Sequence, residues 1–589
     1  MTIQTAEPRQ TDDSLDVLFD AWLARFSRAM ENRNVALLED LFDEDCHWRD
    51  VVAFTWTVMP HDDREVLIRG LVKAAERTRP GSFRRAPGRM APHRVRRHGV
   101  DVIEGVFSFE TLAGRGHGLL RLVAAAPERA FTMATVLDEL KGHEEPIEER
   151  RPTGEAYSRN FGGANWSDLR ARESSFEDRD PAVLVVGAGQ AGLPIAARLR
   201  LLGVDTLAID RNARVGDSWR QRYHSLALHN QAKLNELPYL RWPPHWPHYL
   251  PKDMIANWIE TYAWAMECNV WTSSELVCAR FDEEANCWEA ELRHEDGSIR
   301  RMHPRHLVMA NGVAGKPLRP KVPGLNEFRG SVLHTDDFRS GTEWSGKRAI
   351  VLGAGTSAHD VAQDLHAHGA TVTMIQRSPV TIASVKAASL VHSVYYDEGL
   401  ELEDCDLISQ ASSYPLLLRG YRAAVKRMRE IDADLLERLA RQGFRHDYGP
   451  DEAGHQMKFR TRHGGYYLDC GCSELIASGE IGLVQHRDTD AFCAEGLRLT
   501  SGELIEADLV VMATGYQNQQ TVVRELLGEE VAERVGPIWG LAADGEIANM
   551  YRPTAQRNLW FTGGGFAQAR IYSKAIALQI KARELGLVE

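Results

Sequence analysis

Two glycine-rich segments of the chain share the spacing G-x-G-x-x-G/A. The first lies in VLVVGAGQAGLP and carries Gly187, Gly189 and Gly192, and the second lies in AIVLGAGTSAHD and carries Gly353 and Gly355. In such a loop the first glycine permits a tight turn, the second lets the backbone approach a pyrophosphate, and the third lets the helix pack on the strand. Each segment follows an apolar strand and opens a helix, so both predict a dinucleotide site.

The residues that end each second strand differ between the two copies. Asp210 and Arg211 stand after the first loop, and Gln376 and Arg377 occupy the same register after the second. A carboxylate at this position accepts hydrogen bonds from ribose hydroxyls, as an adenosine with a free ribose requires. A guanidinium can instead hold a ribose 2′-phosphate. We therefore predict FAD at the first copy and NADPH at the second.

A gapless internal repeat positions these residues. Val183–Arg211 and Ala349–Arg377 each read as apolar strand, glycine turn, amphipathic helix, glycine and second apolar strand. That order is half of a βαβ unit, so the predicted fold is α/β with two nested Rossmann-like dinucleotide-binding domains. Nicotinamide delivers a hydride, and flavin passes electrons on singly or in pairs. The pair of sites indicates a flavin reductase, a disulfide reductase or a monooxygenase.

The part of the chain that precedes the repeat has a different character. Predicted helices come first and alternating strands follow, which indicates a separate α+β domain. Later in the chain, residues 412–444 show helical periodicity broken at Asp432, which predicts helices inserted into the second nucleotide domain. The predicted boundaries are 1–150 for the α+β domain, 151–180 for a linker, 181–345 for the FAD domain, 346–490 for the NADPH domain and 491–589 for the return to the FAD domain.

The net charge, apolar runs and cysteine content of the chain disfavour several classes of protein. The formal net charge of −13 over 589 residues disfavours nucleic acid or an anionic membrane surface as the main partner. No apolar run reaches the length of about 18 residues that a membrane span needs, and the polar start of the chain is unlike a secretory signal. Eight cysteines without a C-x-x-C predict reduced thiols and a cytoplasmic protein with no metal.

One further motif lies between the two repeats, in FRGSVLHTDDF. Phe328, Gly330, His334 and Phe338 match the pattern F-x-G-x-x-x-H-x-x-x-[YF] that identifies the flavin-containing monooxygenase superfamily. The segments VGDSWRQRYHSLALHN, MANG and ATGY match as well, and the stretch from LVMANG to GTSAHDVA resembles YUCCA-type enzymes and their bacterial and fungal relatives. The resemblance covers residues 181–589.

This resemblance implies an activity. NADPH would reduce FAD, oxygen would form a flavin hydroperoxide, and one oxygen atom would enter a small organic substrate. Asn230 matches the family's asparagine beside the flavin, and His334 is expected to act as a hinge rather than as a base. Further residues expected at the cofactors are Gly216, Trp219, Thr356, Ser357, Thr514, Gly515 and Gly564.

Several alternatives stay open from the sequence. The segment FTGGGFAQA lacks the aspartate that many two-domain flavoproteins place at the ribityl chain, and Phe338 stands where Baeyer–Villiger enzymes typically have tryptophan. A Baeyer–Villiger ketone oxygenase and a flavin NADPH oxidase or redox sensor are the alternative functions. The N-terminal domain resembles the SnoaL-like cone-shaped fold by the order of its elements, and we expect it to serve as a scaffold, with a homodimer as a candidate assembly.

Overall fold

The computed structural model describes residues 13–153 and 160–588. Two predicted features lie outside the described residues. They are the polar start of the chain, which we interpret as unlike a secretory signal, and positions 154–159 of the predicted linker.

The N-terminal domain consists of one seven-stranded sheet and three helices. Its seven strands follow the order β2-β1-β7-β6-β5-β3, and β4 pairs with β5. Every pair is antiparallel except β1 with β7. The elements are α1 (Asp13–Asn32), α2 (Val35–Leu41), β1 (Phe42–Val51), β2 (Val58–His61), α3 (Arg64–Arg77), β3 (Gly81–Arg85), β4 (His93–Arg97), β5 (Val100–Glu110), β6 (Gly114–Val123) and β7 (Ala126–Leu140).

Aromatic side chains fill the space between this sheet and its helices. Trp22 stacks on Phe26 at 5.0 Å between ring centroids, and Phe42 meets both rings edge-on. Trp22, Phe26, Phe42 and Phe107 are all fully buried. Burial of such rings contributes about 1.5–3 kcal/mol each, which gives the domain a core of its own.

The chain then enters the first nucleotide domain. A helix within the predicted linker, α4, begins at a capping box of Asn165 and Asp168. The elements up to the first crossover are α4 (Trp166–Ser175), β8 (Val183–Val186), α5 (Gly192–Leu201), β9 (Thr206–Ile209), α6 (Asp217–Arg220), α7 (Lys252–Ala265), β10 (Val270–Trp271), β11 (Ser274–Asp282), β12 (Cys287–His294), β13 (Ile299–Met302) and β14 (His306–Met309).

The second nucleotide domain follows, and the helical residues 385–462 form an insertion in it. The helical pattern predicted over 412–444 forms two helices, α12 and α13, which meet at Asp432. Leu436 and Leu439 of α13 belong to the core of this domain, so α13 packs against its sheet and helices. The elements are β15 (Ser331–His334), β16 (Arg348–Leu352), α8 (Thr356–Ala367), β17 (Thr371–Gln376), β18 (Thr381–Ser384), α9 (Val385–Ala388), α10 (Ser393–Tyr396), α11 (Leu402–Gln410), α12 (Tyr414–Ile431), α13 (Ala433–Arg441), α14 (Gly454–Arg462), β19 (Tyr466–Asp469), α15 (Cys472–Ala477) and β20 (Gly482–Gln485).

The end of the chain first completes the second nucleotide domain, through a strand at residues 509–512 that pairs with β15 and β16, and only then returns to the first, later than the predicted residue 491. Its elements are β21 (Thr489–Cys493), β22 (Gly496–Leu499), β23 (Leu504–Glu506), β24 (Leu509–Met512), α16 (Gln519–Leu527), α17 (Glu529–Val535), β25 (Leu559–Phe561) and α18 (Phe566–Glu584). Two parallel five-stranded sheets result, with the orders β10-β9-β8-β14-β25 and β15-β24-β16-β17-β20. Their strands are apolar runs because helices and loops cover both faces.

Charged pairs join the N-terminal domain to the rest of the chain. Arg97 bonds Glu104 of its own domain at 2.7 Å and Glu398 of the insertion at 2.6 Å. Burial acts to raise the pKa of Glu104, but Arg121 and Arg97 outweigh it and hold that pKa to about 2. Further pairs across this interface include Arg89–Asp404, Arg49–Glu546, Arg419–Asp45 and Lys574–Asp138.

We expect the substitution Arg97→Met to loosen this interface, because it removes a cation from two carboxylates of which Glu104 is fully buried. Breaking a buried pair costs about 3–5 kcal/mol. Urea unfolding followed by tryptophan fluorescence measures the change. The control is Arg96→Met on the same strand, since Arg96 pairs with the exposed Asp101 and should cost at most about 1 kcal/mol. Equal effects of the two substitutions would contradict the assignment.

Candidate functional site

A cavity of about 1960 Å³ lies between the two nucleotide domains. Its lining includes both glycine loops, the ends of the strands that follow them, and the two chain segments that cross between the domains. Two sites in one continuous cavity can bring two bound cofactors together, as electron transfer between them requires.

The first glycine loop has the geometry that a pyrophosphate needs. Gly187 has φ +109°, and a β-carbon there would lie 2.6 Å from the carbonyl oxygen of Ala310. A β-carbon on Gly192 would lie 1.9 Å from the carbonyl oxygen of Gly187. A β-carbon on Gly189 would meet only Ser218, at 3.9 Å, so this part of the backbone is open to the cavity. Helix α5 begins here, and its free N–H groups suit an anion.

The second loop repeats this arrangement. Gly353 has φ +136°, and its N–H donates to the carbonyl of Ile375 at 3.0 Å. The Cβ position of Gly355 is open except for a backbone oxygen at 3.9 Å, and Gly355 precedes the first turn of α8. Thr356 donates from its hydroxyl to the carbonyl of Tyr466 at 2.9 Å. Ser357 follows it, and both residues line the cavity.

The two strand ends differ in structure as they do in sequence. Asp210 accepts hydrogen bonds from the backbone N–H groups of Ala188, at 3.0 Å, and Asn212, at 2.9 Å, and it lines the cavity beside Arg211. Gln376 is fully buried and is held by the backbone of Arg445. It therefore points away from the cofactor position.

Arg377 is exposed at the cavity wall. Its backbone carbonyl accepts a bond from Arg445 at 3.0 Å, and within residues 13–153 and 160–588 its side chain has no partner. The backbone is thus fixed while the guanidinium stays available.

Of three other predicted residues, Trp219 and Asn230 line the same cavity and Gly216 does not. Gly216 has φ +91° and packs against α7, where a β-carbon would lie 2.4 Å from the carbonyl oxygen of Ala256. The indole N–H of Trp219 donates to Gln190 at 3.1 Å. Asn230 lines the cavity, and its carbonyl accepts a bond from Asn235 at 3.0 Å. Its side-chain amide has no partner in the described chain, so it can bond a ligand.

The triglycine turn before α18 forms another part of the wall. Gly564 has φ +86° and lines the cavity together with Gly563. The N–H of Gly565 donates to Gln568 at 2.7 Å, which caps the helix. The carbonyl of Gly563 accepts the hydroxyl of Tyr551 at 2.7 Å. These two bonds fix the conformation of the turn at the cavity wall.

His334 connects the two segments that cross between the domains. Its Nδ1 accepts the N–H of Asp336 at 3.1 Å, so the proton is on Nε2, which donates to the carbonyl of Gly515 at 3.1 Å. Burial lowers the pKa of His334 and keeps the ring neutral. Tyr516 packs edge-on against the imidazole at 5.5 Å. With both ring nitrogens bonded to backbone, His334 is suited to holding the crossing and not to moving a proton.

The other motif residues hold the strand that carries His334. Phe328 and Phe338 are buried in separate apolar clusters at the two ends of the motif. A β-carbon on Gly330 would lie 2.5 Å from the carbonyl oxygen of Asp508, so only glycine allows this approach to the neighbouring strand. The crossing segments also bond each other directly, through Leu318 N–H to Gly515 O at 2.9 Å and Thr514 Oγ1 to Leu318 O.

The structure adds residues that sequence reasoning missed. The hydroxyl of Tyr223 donates to Asp360 of α8, and both residues line the cavity, so this bond joins the first domain to the second. Burial raises the pKa of Asp360. Tyr396 of the insertion accepts the N–H of Gln231, next to Asn230, at 3.2 Å. Asp360 stands four residues into the second predicted helix, but nothing in the sequence pairs it with Tyr223.

The pair of cysteines near α15 is poorly suited to redox chemistry. Desolvation raises the pKa of the thiols of Cys470 and Cys472, which opposes thiolate formation. In residues 13–153 and 160–588, no group of three or more His, Cys, Asp or Glu side chains is arranged to hold a metal ion. No helix of that part of the chain is long and apolar enough to cross a membrane.

Comparisons with known proteins agree with this geometry. Residues 181–404 match the pyridine nucleotide-disulphide oxidoreductase family. Indole-3-pyruvate monooxygenase YUCCA1 of Oryza sativa subsp. japonica is 30% identical over 342 residues, which are 57% of this chain and 77% of that protein. The chain belongs to the flavin monooxygenase superfamily.

Other relatives are consistent with that membership. This flavin monooxygenase is also 30% identical over 363 residues to the probable indole-3-pyruvate monooxygenase YUCCA9 of Arabidopsis thaliana, covering 60% of the chain and 80% of the relative. A cyclohexanone monooxygenase variant from Rhodococcus sp. Phi1, bound to NADP+, superimposes with a TM-score of 0.51 at 17% identity, covering 69% of this chain and 87% of that one. The last comparison shows the shared fold.

The enzyme is an FAD- and NADPH-dependent monooxygenase that acts on a small organic molecule and O2. The residues of the cavity fit both cofactors. Two open glycine backbones face it, each before a helix. The first is followed by a carboxylate and the second by a guanidinium that has no partner in the described part of the chain.

We expect His334→Ala to weaken NADP+ binding more than FAD binding. The substitution leaves the Asp336 N–H without its acceptor and removes one donor from Gly515, at a cost of about 1–3 kcal/mol. The purified enzyme should keep its FAD while the Kd for NADP+ rises by about tenfold. Flavin absorbance and calorimetric titration measure the two quantities. His303→Ala, at an exposed histidine paired with Asp180, is the control; loss of FAD before loss of NADP+ affinity would contradict the hinge role.

Proposed function

We propose that FAD occupies the first glycine loop, that NADPH occupies the second, and that both meet in the shared cavity. The observation that carries this proposal is the opening of both loops onto one cavity, with Asp210 at one strand end and Arg377 at the other. When bound, NADPH supplies a hydride to the flavin, and the reduced flavin activates O2 so that one oxygen atom reaches the substrate and the other leaves as water.

The protein's own residues have binding and positioning roles in this proposal. Gly189 and Gly355 admit the two pyrophosphates, and Asp210 holds the FAD ribose. Arg377 holds the 2′-phosphate of NADPH. The free amide of Asn230 lies at the cavity wall and is placed to bond the reacting part of the cofactors.

The N-terminal domain is proposed to be a SnoaL-like scaffold without a reaction of its own. Asp50, which the sequence places in the motif HWRD with His47 and Trp48, accepts bonds from Phe54, Thr55 and Thr135 and is fully buried. These contacts occupy its oxygens, and aromatic rings fill the surrounding interior. Membership of the bacterial and fungal YUCCA-like branch, a homodimer and a cytoplasmic location stay predictions from the sequence.

The names of the relatives suggest the first substrate to test. YUCCA1 is named an indole-3-pyruvate monooxygenase and YUCCA9 a probable one, so we propose a small organic acid or ketone of this size for the cavity. Ketone oxygenation of the Baeyer–Villiger type and uncoupled NADPH oxidation are the alternatives to be distinguished.

Measurement of NADPH, O2 and hydrogen peroxide together tests the function. With a true substrate we expect one NADPH and one O2 consumed for each product formed, with little peroxide. A panel of indole-3-pyruvate, phenylacetone and a tertiary amine separates the substrate classes. Stoichiometric peroxide with every member of the panel would make the protein an NADPH oxidase and overturn the monooxygenase proposal for these compounds.

Cofactor preference tests the assignment of Arg377. We expect Arg377→Ala to raise the KM for NADPH by on the order of 10- to 100-fold, because a charge-assisted bond to phosphate contributes about 1.5–3 kcal/mol. The KM for NADH should change little, since NADH lacks the 2′-phosphate. Arg211→Ala, at the equivalent position of the first repeat, should leave the NADPH-to-NADH preference unchanged. The assignment fails if wild type uses NADH and NADPH equally well and Arg377→Ala changes neither.

A further inference from the structure

Gln519, the first residue of α16, is a buried amide at the cavity wall. Only 4% of the residue is exposed, and it belongs to the lining of the cavity. Its amide nitrogen donates to the carbonyl of Gly312 at 3.0 Å and to Oδ1 of Asn311 at 3.1 Å. Because a carbonyl can only accept, these bonds fix the orientation of the amide. The side-chain oxygen Oε1 is buried and has no hydrogen-bond partner among residues 13–153 and 160–588.

The start of α16 is held firmly, so Gln519 keeps this position. The side-chain oxygen of Asn518 accepts the N–H groups of Gln520 at 2.9 Å and of Ile538 at 3.2 Å. The amide of Asn518 also donates to the carbonyl of Ile538 at 2.6 Å. A buried acceptor without a donor has lost its bonds to water and has gained none in return. A hydroxyl or N–H group of a molecule in the cavity would supply the missing donor.

Gln519 contacts the segment that packs on the first glycine loop. A β-carbon on Gly187 would lie 3.2 Å from the backbone nitrogen of Asn311, whose side chain accepts the amide of Gln519. Both Gly187 and Asn311 line the cavity. This loop is the one at which we propose the pyrophosphate of FAD, so the unpartnered acceptor belongs to the FAD side of the cavity.

The triglycine turn contacts the same segment. A β-carbon on Gly563 would lie 3.0 Å from Cγ1 of Val313 and 3.9 Å from its backbone nitrogen. Val313 follows Gly312, the residue whose carbonyl holds the amide of Gln519. Residues 311–313 therefore connect the first glycine loop, the triglycine turn and Gln519 along one wall of the cavity.

We propose that Oε1 of Gln519 accepts a hydrogen bond from a hydroxyl group of the ribityl chain of FAD. The proposal rests on the proposed function, which has FAD at the first glycine loop, and adds a residue that binds the middle of the cofactor. The ribityl chain joins the pyrophosphate to the flavin ring, so it begins at the first loop and extends into the cavity with its hydroxyl donors. The neighbouring segment TGGGFAQ contains no carboxylate, and Gln519 provides a neutral acceptor beside it.

Reconstitution of the full-length apoenzyme with two cofactors tests this contact. One is FAD, and the other is an FAD analogue in which a pentyl chain without hydroxyl groups replaces the ribityl chain. Titration followed by flavin fluorescence gives both Kd values. We expect Gln519→Met to bind FAD about tenfold more weakly than wild type, as loss of one hydrogen bond at a buried site predicts, and to change the Kd of the analogue by less than about twofold. The second variant Gln519→Leu should behave in the same way.

The matched control is Gln520→Met. Gln520 is the next residue of α16 and does not line the cavity, and its amide also donates to a backbone carbonyl, that of Ala532 at 2.8 Å. This substitution should leave both Kd values unchanged. A purely structural role of Gln519, through Gly312 and Asn311, would weaken binding of FAD and of the analogue equally. That result would overturn the proposal, as would an unchanged Kd for FAD in both Gln519 variants.

The proposed function is checked separately in wild type, where NADPH should reduce the bound FAD. Absence of this reduction would contradict the proposed function and not the contact of Gln519, which the Kd values decide.

Discussion

The arrangement of the two nucleotide domains depends on the hydrogen bonds that the carbonyl oxygen of Gly515 accepts. It accepts the N–H of Leu318 from the outgoing segment and Nε2–H of His334 from the strand that follows. Both chain crossings between the domains are thereby fixed to one backbone atom, beside the cavity that the cofactors share. A neutral histidine suits this position, since a protonated ring could not accept the N–H of Asp336. This crossing borders the cavity onto which both glycine loops open.

A second set of interactions, which consists of ion pairs, joins the N-terminal domain to the two nucleotide domains. The pairs Arg97–Glu398 and Arg89–Asp404 reach the insertion, whereas Arg49–Glu546 and Lys574–Asp138 reach the returning FAD domain. The N-terminal domain therefore contacts parts of both nucleotide domains. Buried pairs of this kind specify one arrangement more than they add stability, because desolvation offsets most of the attraction.

The parts of the fold that depend on neighbouring residues could be predicted from the sequence. The gapless repeat identifies two strand–loop–helix units, because each is stabilised by contacts within about thirty residues. The same repeat shows that Asp210 and Arg377 stand at equivalent strand ends, and the break at Asp432 correctly divides α12 from α13. Interactions over long separations could not be predicted in this way. Arg49 and Glu546 are 497 residues apart, and no local pattern distinguishes either from a surface residue.

The excess of acidic over basic side chains makes an arginine without a partner informative. The sequence holds 83 acidic and 70 basic side chains, so a carboxylate is on average easy for an arginine to find. Arg97 and Arg570, which are largely withdrawn from water, are both paired with carboxylates. Arg377, in contrast, borders the cavity and has no side-chain partner within residues 13–153 and 160–588. A guanidinium left without a protein anion at this wall suits an anionic ligand, and the 2′-phosphate of NADPH is the anion that the proposed function brings there.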